Sequence, residues 1–181
     1  VVVAGLTKDD EGEGLVSAGD RETMGLSVED DQLISDVAAL NPRTVVVLEG
    51  GSAITMPWVN DVEAILMAWY PGMEGGNAIA EVLFGDVNPS GKLPITFPRS
   101  VGQLPVYYNR RPTSFRNHLD LTREPLWAFG YGLSYTTFQL DELRVASPEI
   151  GPGGTTDVSV RVRNSGARAV HEVVQLYIRD Q

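Results

Sequence analysis

Residues 7–14 read TKDDEGEG and place four carboxylates within five positions, Asp9, Asp10, Glu11 and Glu13. Like charges crowded together raise the pKa of one member, which is how a carboxyl group stays protonated as a general acid near neutral pH. Gly12 and Gly14 let the backbone turn tightly and leave Glu13 accessible. The segment follows an apolar run, VVVAGL, and a loop after the carboxyl end of a strand is the usual place for a site in an α/β sheet. The bland alternative is a solvated acidic loop.

Other chemistries fit less well. A calcium loop starting at Asp9 would place Gly14 at its sharp turn, but Glu11 and Glu13 stand where shorter Asp or Asn is needed. Asp20 also replaces the closing bidentate Glu, and a strand rather than a helix leads in. A dinucleotide loop would need a third glycine sooner than Gly19, and the surrounding acid would repel a pyrophosphate. Residues 50–54, GGSAI, resemble a nucleophile elbow around Ser52, but Ile54 stands where glycine is required. His118 and His171 are the only candidate bases for such a serine. With no cysteine there is no thiolate nucleophile or Cys-based zinc site, so neither a metal nor another cofactor is expected.

Two aromatic stretches carry a double reading. In WYPGMEGG (69–76), Trp69 and Tyr70 could stack on a sugar face while Glu74 takes a hydroxyl, or the run could be a strand-to-helix turn with close glycine packing. For WAFGYGLSY (127–135), core and inter-domain packing is the default.

The elements that must position these groups follow from pattern. Residues 1–6 read as a buried strand; Leu33, Ile34, Val37 and Leu40 recur at helical spacing after Ser27, and Asn41-Pro42 closes that helix. Residues 44–48 (TVVVL) and 64–69 (AILMAW) read as two more buried strands. Ala78, Ile79, Val82 and Leu83 make the apolar face of a second helix ending at Gly85, and residues 93–97 read as another short strand. Near-continuous apolar strands alternating with helices predict an α/β sandwich with a mostly parallel sheet. After Phe138 the period changes to two: Val158, Val160 and Val162 alternate with polar residues, as do Val174, Leu176 and Ile178. This is all-β grammar with about three strands where a complete sandwich needs roughly seven. The expected division is therefore 1–138 as the α/β domain and 139–181 as the beginning of a β-sandwich. Strand patterns at both termini predict a piece of a longer chain.

The charge balance narrows the partners. Lys and Arg number 14 against 24 Asp and Glu, a net charge of −10. Such a surface repels phosphate backbones and anionic lipid heads, so neither nucleic acid nor membrane is an expected partner. The longest apolar runs, 45–48 and 64–69, are far short of a bilayer span.

The order of the motifs is more specific than any one of them. KDDEGEG, then GDR (19–21), VVVLEGGSAI, AWYPGMEGGNAIAEVLFGDVNPSGKLPITFP and FGYGLSYTTF succeed one another over nearly the whole chain. In this order and spacing the chain resembles the C-terminal part of a glycoside hydrolase family 3 enzyme, the β-glucosidase and β-xylosidase group. NSGARAVHEVVQLYIRD resembles the opening strands of the fibronectin-III-like domain that often follows.

The resemblance implies a three-part retaining exo-β-glycosidase, most simply a β-glucosidase acting on terminal non-reducing sugars. A (β/α)8 barrel outside this sequence would carry the nucleophilic aspartate, the α/β sandwich would lend the acid/base carboxylate, and the fibronectin-like domain would brace them. The implied partners are an oligosaccharide or glycoside substrate and that N-terminal barrel. The family's acid/base glutamate precedes the last glycine of an (S/E)-G-E-G loop, which lands on Glu13, with Glu11 in reserve. Asp20 and Arg21 match the family's D-R pair, expected as an ion pair fixing the loop. The segment between Gly14 and Asp20 is longer than in the compact version of the motif. The competing readings are a non-catalytic carbohydrate-binding or scaffold module of the same fold and an adhesion module built on the β-rich segment.

Overall fold

The computed structural model describes residues 1–12, 21–109 and 122–178. Its centre is β2 (Val45–Glu49), flanked in parallel by β1 (Val2–Gly5) and β3 (Ala64–Met67), in the order β1-β2-β3. Val2 pairs with Val46 and Val46 with Ile65, so the strands run in step and their carboxyl ends share one rim. β2 has no side facing water: Val46, Val47 and Leu48 are fully buried. That is why its sequence is an unbroken β-branched and aliphatic run rather than an alternating one. β1 does alternate, with Val2 and Ala4 buried and Val3 exposed.

α1 (Lys8–Glu11) is one turn long and follows β1 directly. α2 (Val28–Leu40) starts where Ser27 Oγ accepts the Asp30 N–H at 3.0 Å and stops at Asn41, as the sequence predicts. Its buried residues, Ile34 and Ala38, face a core that also holds Leu26, Ile54, Trp58 and Phe97. Trp58, 1% exposed, satisfies its indole N–H on Asp31 Oδ1 at 2.7 Å, which ties α2 to the segment after β2. Burial of Asp31 lifts its carboxyl above the ordinary range, with the Trp58 bond acting in the opposite direction. α3 (Gly75–Phe84) ends at Gly85, again as predicted.

Residues 93–97 depart from the expected strand. Phe97 makes an isolated antiparallel bridge with Trp127, and Leu93 exchanges backbone bonds with Gly130 and Tyr131 at 2.8 Å each. Pro94 removes the donor a ladder would need between these points, and Pro98 closes the run.

The β-rich segment forms one antiparallel pair, β4 (Phe138–Val145) with β5 (Val158–Asn164), interrupted by a bulge between Asp141 and Arg144. That bulge is why β4 shows no clean period of two in its sequence. Residues 174–178, expected as a further strand, pair with no neighbouring strand among the described residues. They dock instead on the loop around Gly130: Gln175 Nε2 donates to Gly130 O at 2.9 Å, and the Tyr177 ring stands edge-on to Phe129. Lys92 Nζ adds a tie, 2.9 Å from both Glu172 Oε1 and Gly132 O. Arg168 adds another, donating to Gly85 O at 2.8 Å. No described helix is long and apolar enough to cross a membrane.

Candidate active site

Because the three strands are parallel, each delivers its following loop to the same rim. β1 continues through Leu6, whose N–H donates to Glu49 O at 2.9 Å, into Thr7 and α1. β2 passes to Gly50 and Gly51, while β3 passes through Ala68 to Trp69 and Tyr70. Gly50 N–H donates to Trp69 O at 3.2 Å, joining the second loop to the third.

α1 exists because of its cap. Thr7 Oγ1 accepts from the Asp9 and Asp10 N–H groups at 3.2 and 3.4 Å, and Asp10 Oδ2 accepts in return from the Thr7 N–H at 2.8 Å. This is a reciprocal capping box with Asp at the third position. Hydrogen bonds from the Thr7 hydroxyl and then its N–H hold the Asp10 carboxyl below the ordinary carboxylate range. Gly12 ends the turn at φ 56° and ψ 164°, positive-φ backbone that suits glycine.

Glu11 joins all three loops. Its Oε1 accepts the Gly51 N–H at 2.6 Å and the Tyr70 hydroxyl at 2.8 Å, and its Oε2 lies 3.8 Å from the Arg21 guanidinium. Arg21 is itself held by Ser52 Oγ at 2.7 Å and Gly25 O at 3.4 Å. Close approach at Gly51 depends on its having no side chain, since a Cβ there would lie 3.2 Å from both Glu11 Oε1 and Tyr70 Cε2. Loss of hydration, the hydrogen bond to Glu11 and that carboxylate's charge push the Tyr70 phenol up to about 12. The phenol therefore stays a neutral donor at ordinary pH.

Backbone strain marks the same rim. Trp69 sits at φ 56°, uncommon for a bulky side chain, while its ring packs edge-on against buried Phe97 at a centroid distance of 6.2 Å. The turn it makes sends the next side chain, Tyr70, to Glu11. The pair Trp69 and Tyr70 thus serves packing and loop fixation, and Glu74 Oε2 accepts from Asn77 Nδ2 at 2.6 Å at the start of α3.

Of the residues singled out in the sequence, Glu11 and Arg21 meet at this rim, whereas Glu13, Asp20 and His118 lie outside the described residues. The Ser52 hydroxyl is engaged by Arg21. Among the described residues no three acidic or histidine side chains converge as metal ligands. Sequence reasoning missed α1 and the partnership of Tyr70 and Gly51 with the acidic loop. The Thr7-x-x-Asp10 spacing was a usable signal for the helix, and nothing local announces contacts 40 and 59 residues away in the chain.

A parallel α/β layer with an acidic loop bound to its strand-end rim, followed by an antiparallel pair, defines the class: a domain that presents a carboxylate-bearing loop at a sheet's carboxyl edge. Residues 1–135 match the glycosyl hydrolase family 3 C-terminal domain, and the chain belongs to that family. It is 44% identical to a probable β-glucosidase J of Neosartorya fischeri, over 99% of this chain and 22% of that protein. A probable β-glucosidase I of Aspergillus flavus is 42% identical over 98% of this chain and 23% of its own length. Among solved structures, a β-glucosidase from Erythrobacter marinus superposes with a TM-score of 0.84 at 43% identity, covering 92% of this chain and 23% of that one. A β-glucosidase from Listeria innocua in complex with glucose gives 0.82 at 32% identity, covering 91% and 24%. The chain therefore spans somewhat under a quarter of the length of these relatives.

Proposed function

We propose that this chain is the acid/base-bearing part of a retaining β-glucosidase, with Glu13 as the proton donor. The observation that carries the reading is the likeness, at 43% identity and a TM-score of 0.84, to a β-glucosidase across 92% of the chain. The rim geometry supports it, because the acidic loop is tied where the strand ends of an α/β sheet usually present their chemistry.

In the reading, an aspartate on a barrel in the same protein attacks the anomeric carbon of a terminal β-linked sugar. Glu13 protonates the departing glycosidic oxygen, and a glycosyl-enzyme ester forms. Glu13, now a carboxylate, then takes a proton from water, whose oxygen attacks the anomeric carbon and frees both the sugar and the aspartate. Retention requires the two carboxyls about 5–5.5 Å apart, so a loop of this domain must reach the mouth of another. Residues 139–181, in the same reading, open a fibronectin-like domain that braces the pair.

The test is Glu13→Gln in the full-length enzyme. On a disaccharide, whose leaving group needs protonation, the rate should fall about 10²- to 10⁴-fold. A variant that keeps full rate on that substrate would end the assignment.

A further inference from the structure

We propose that Glu11 is a positioning residue, whose carboxylate anchors the acidic loop to the other two strand-end loops and thereby sets where Glu13 stands. The inference rests on the reading of Glu13 as the acid/base and concerns what holds it in place.

Both Glu11 oxygens are engaged. Oε1 takes two donors, from Gly51 and Tyr70, and Oε2 faces Arg21. A proton donor to a leaving group needs a free oxygen aimed at substrate, and Glu11 offers neither without breaking bonds that join three loops. Before Thr7 the chain is held by Leu6, which packs at the edge of the core and whose carbonyl lies 3.3 Å from the Tyr70 hydroxyl. α1 buries none of its residues, so apolar packing does not fix its place. Among the described residues of the loop, the side chain that hydrogen-bonds to both neighbouring loops is that of Glu11, contacting Gly51 40 residues on and Tyr70 59 residues on.

Two costs elsewhere point to the same purpose. Trp69 adopts a left-handed φ of 56°, and the next residue delivers its hydroxyl to Glu11. Gly51 carries no Cβ where one would crowd Glu11 and Tyr70 together. Arg21 adds a third hold, itself fixed by the Ser52 hydroxyl and Gly25 O. Glu13 follows Glu11 by two peptide links, a span of at most about 7 Å, so freeing the anchor releases the acid with it.

The experiment compares Glu11→Gln, Glu11→Ala, Tyr70→Phe, Glu13→Gln and Glu13→Ala in the full-length enzyme, on a disaccharide and on a nitrophenyl glucoside, with and without azide. Glu11→Gln keeps an oxygen for Gly51 and Tyr70 and loses only the long pair with Arg21, so kcat should fall by no more than about fivefold. Glu11→Ala should lower kcat on the disaccharide about 100-fold, with KM changed far less, because the acid is misplaced rather than absent. Azide should not restore Glu11→Ala, since the Glu13 carboxylate still repels it, but should restore Glu13→Ala on the nitrophenyl substrate. Tyr70→Phe removes one hydroxyl from a half-exposed side chain, so it tests the anchor even if Glu11→Ala fails to fold; a loss of about two- to tenfold is expected.

If Glu11→Gln is as damaging as Glu11→Ala and azide restores the latter, Glu11 is itself the acid/base and the proposal is wrong. If Glu11→Ala and Tyr70→Phe both keep their rates while Glu13→Gln remains slow, the anchor fails and the Glu13 reading survives. Full disaccharide activity in Glu13→Gln would instead remove the reading on which the anchor rests.

Discussion

The parallel sheet and the antiparallel pair are stabilised in opposite ways. In β2, Val46, Val47 and Leu48 are completely buried, and a single cluster reaches from Val2 through Ile34 and Trp58 to Phe97. In β4 and β5, Leu140, Leu143, Val158 and Val162 are each at least 40% exposed within this chain. The first region is held chiefly by apolar burial, with a few buried polar bonds such as Trp58 to Asp31 and a cluster of polar contacts at its rim. The segments after the second meet the α/β layer through a few polar ties, Lys92 to Glu172, Arg168 to Gly85 and Gln175 to Gly130, and through the Tyr177 ring on Phe129 and Tyr108. A rigid apolar sheet is thus the platform, and precise placement on top of it falls to directional bonds, Glu11 foremost. Apolar burial is strong and undirected, whereas a bond to Gly51 N–H fixes a loop to a fraction of an ångström.

This contrast can be broken from either side. Trp58→Ala removes the largest fully buried side chain among the described residues and leaves Asp31 without its indole partner. It should cost about 3–5 kcal/mol, read as faster amide exchange across Val46, Val47 and Leu48 with β4 and β5 little changed. Equal acceleration in both regions would mean that they unfold as one unit. Lys92→Met leaves Glu172 shielded from water without its cation, at side-chain exposures of 14% and 13% for the pair. A loss of about 1–3 kcal/mol, read as easier proteolytic cutting within residues 167–178, is expected, and the central sheet should not respond. The smallest effect concerns Tyr70. Its phenol is raised from the ordinary 10.0 to about 12, so the folded form holds this proton more tightly than the unfolded chain. The stabilisation is full below pH 10 and is lost as the pH climbs toward 12. A difference titration of wild type against Tyr70→Phe by phenolate absorbance should show one late-ionising tyrosine missing from the variant.

What the sequence disclosed follows the same division. The three parallel strands and the two long helices were legible because burial imprints a pattern: unbroken Val and Leu in β2, Ser27 before α2, Gly85 after α3. Residues 93–97 misled because the apolar content fits a strand while Pro94 withholds the hydrogen bond that would make one. Residues 174–178 alternate as a strand should, but their bonds go to the Gly130 loop. The acidic loop announced itself by composition. Its attachment did not, because Glu11, Gly51 and Tyr70 meet only after the sheet has brought three distant turns together. Local pattern reports which face of an element is buried and says little about which loop a polar side chain will cross to.

The most direct trial is product identification by NMR for the full-length Glu13→Ala enzyme given a nitrophenyl β-glucoside and excess azide. With the acid/base carboxylate gone, azide should attack the glycosyl-enzyme ester from the face that water normally uses and yield the β-glucosyl azide. Free glucose alone, formed at the wild-type rate, would contradict a proton-transfer role for Glu13.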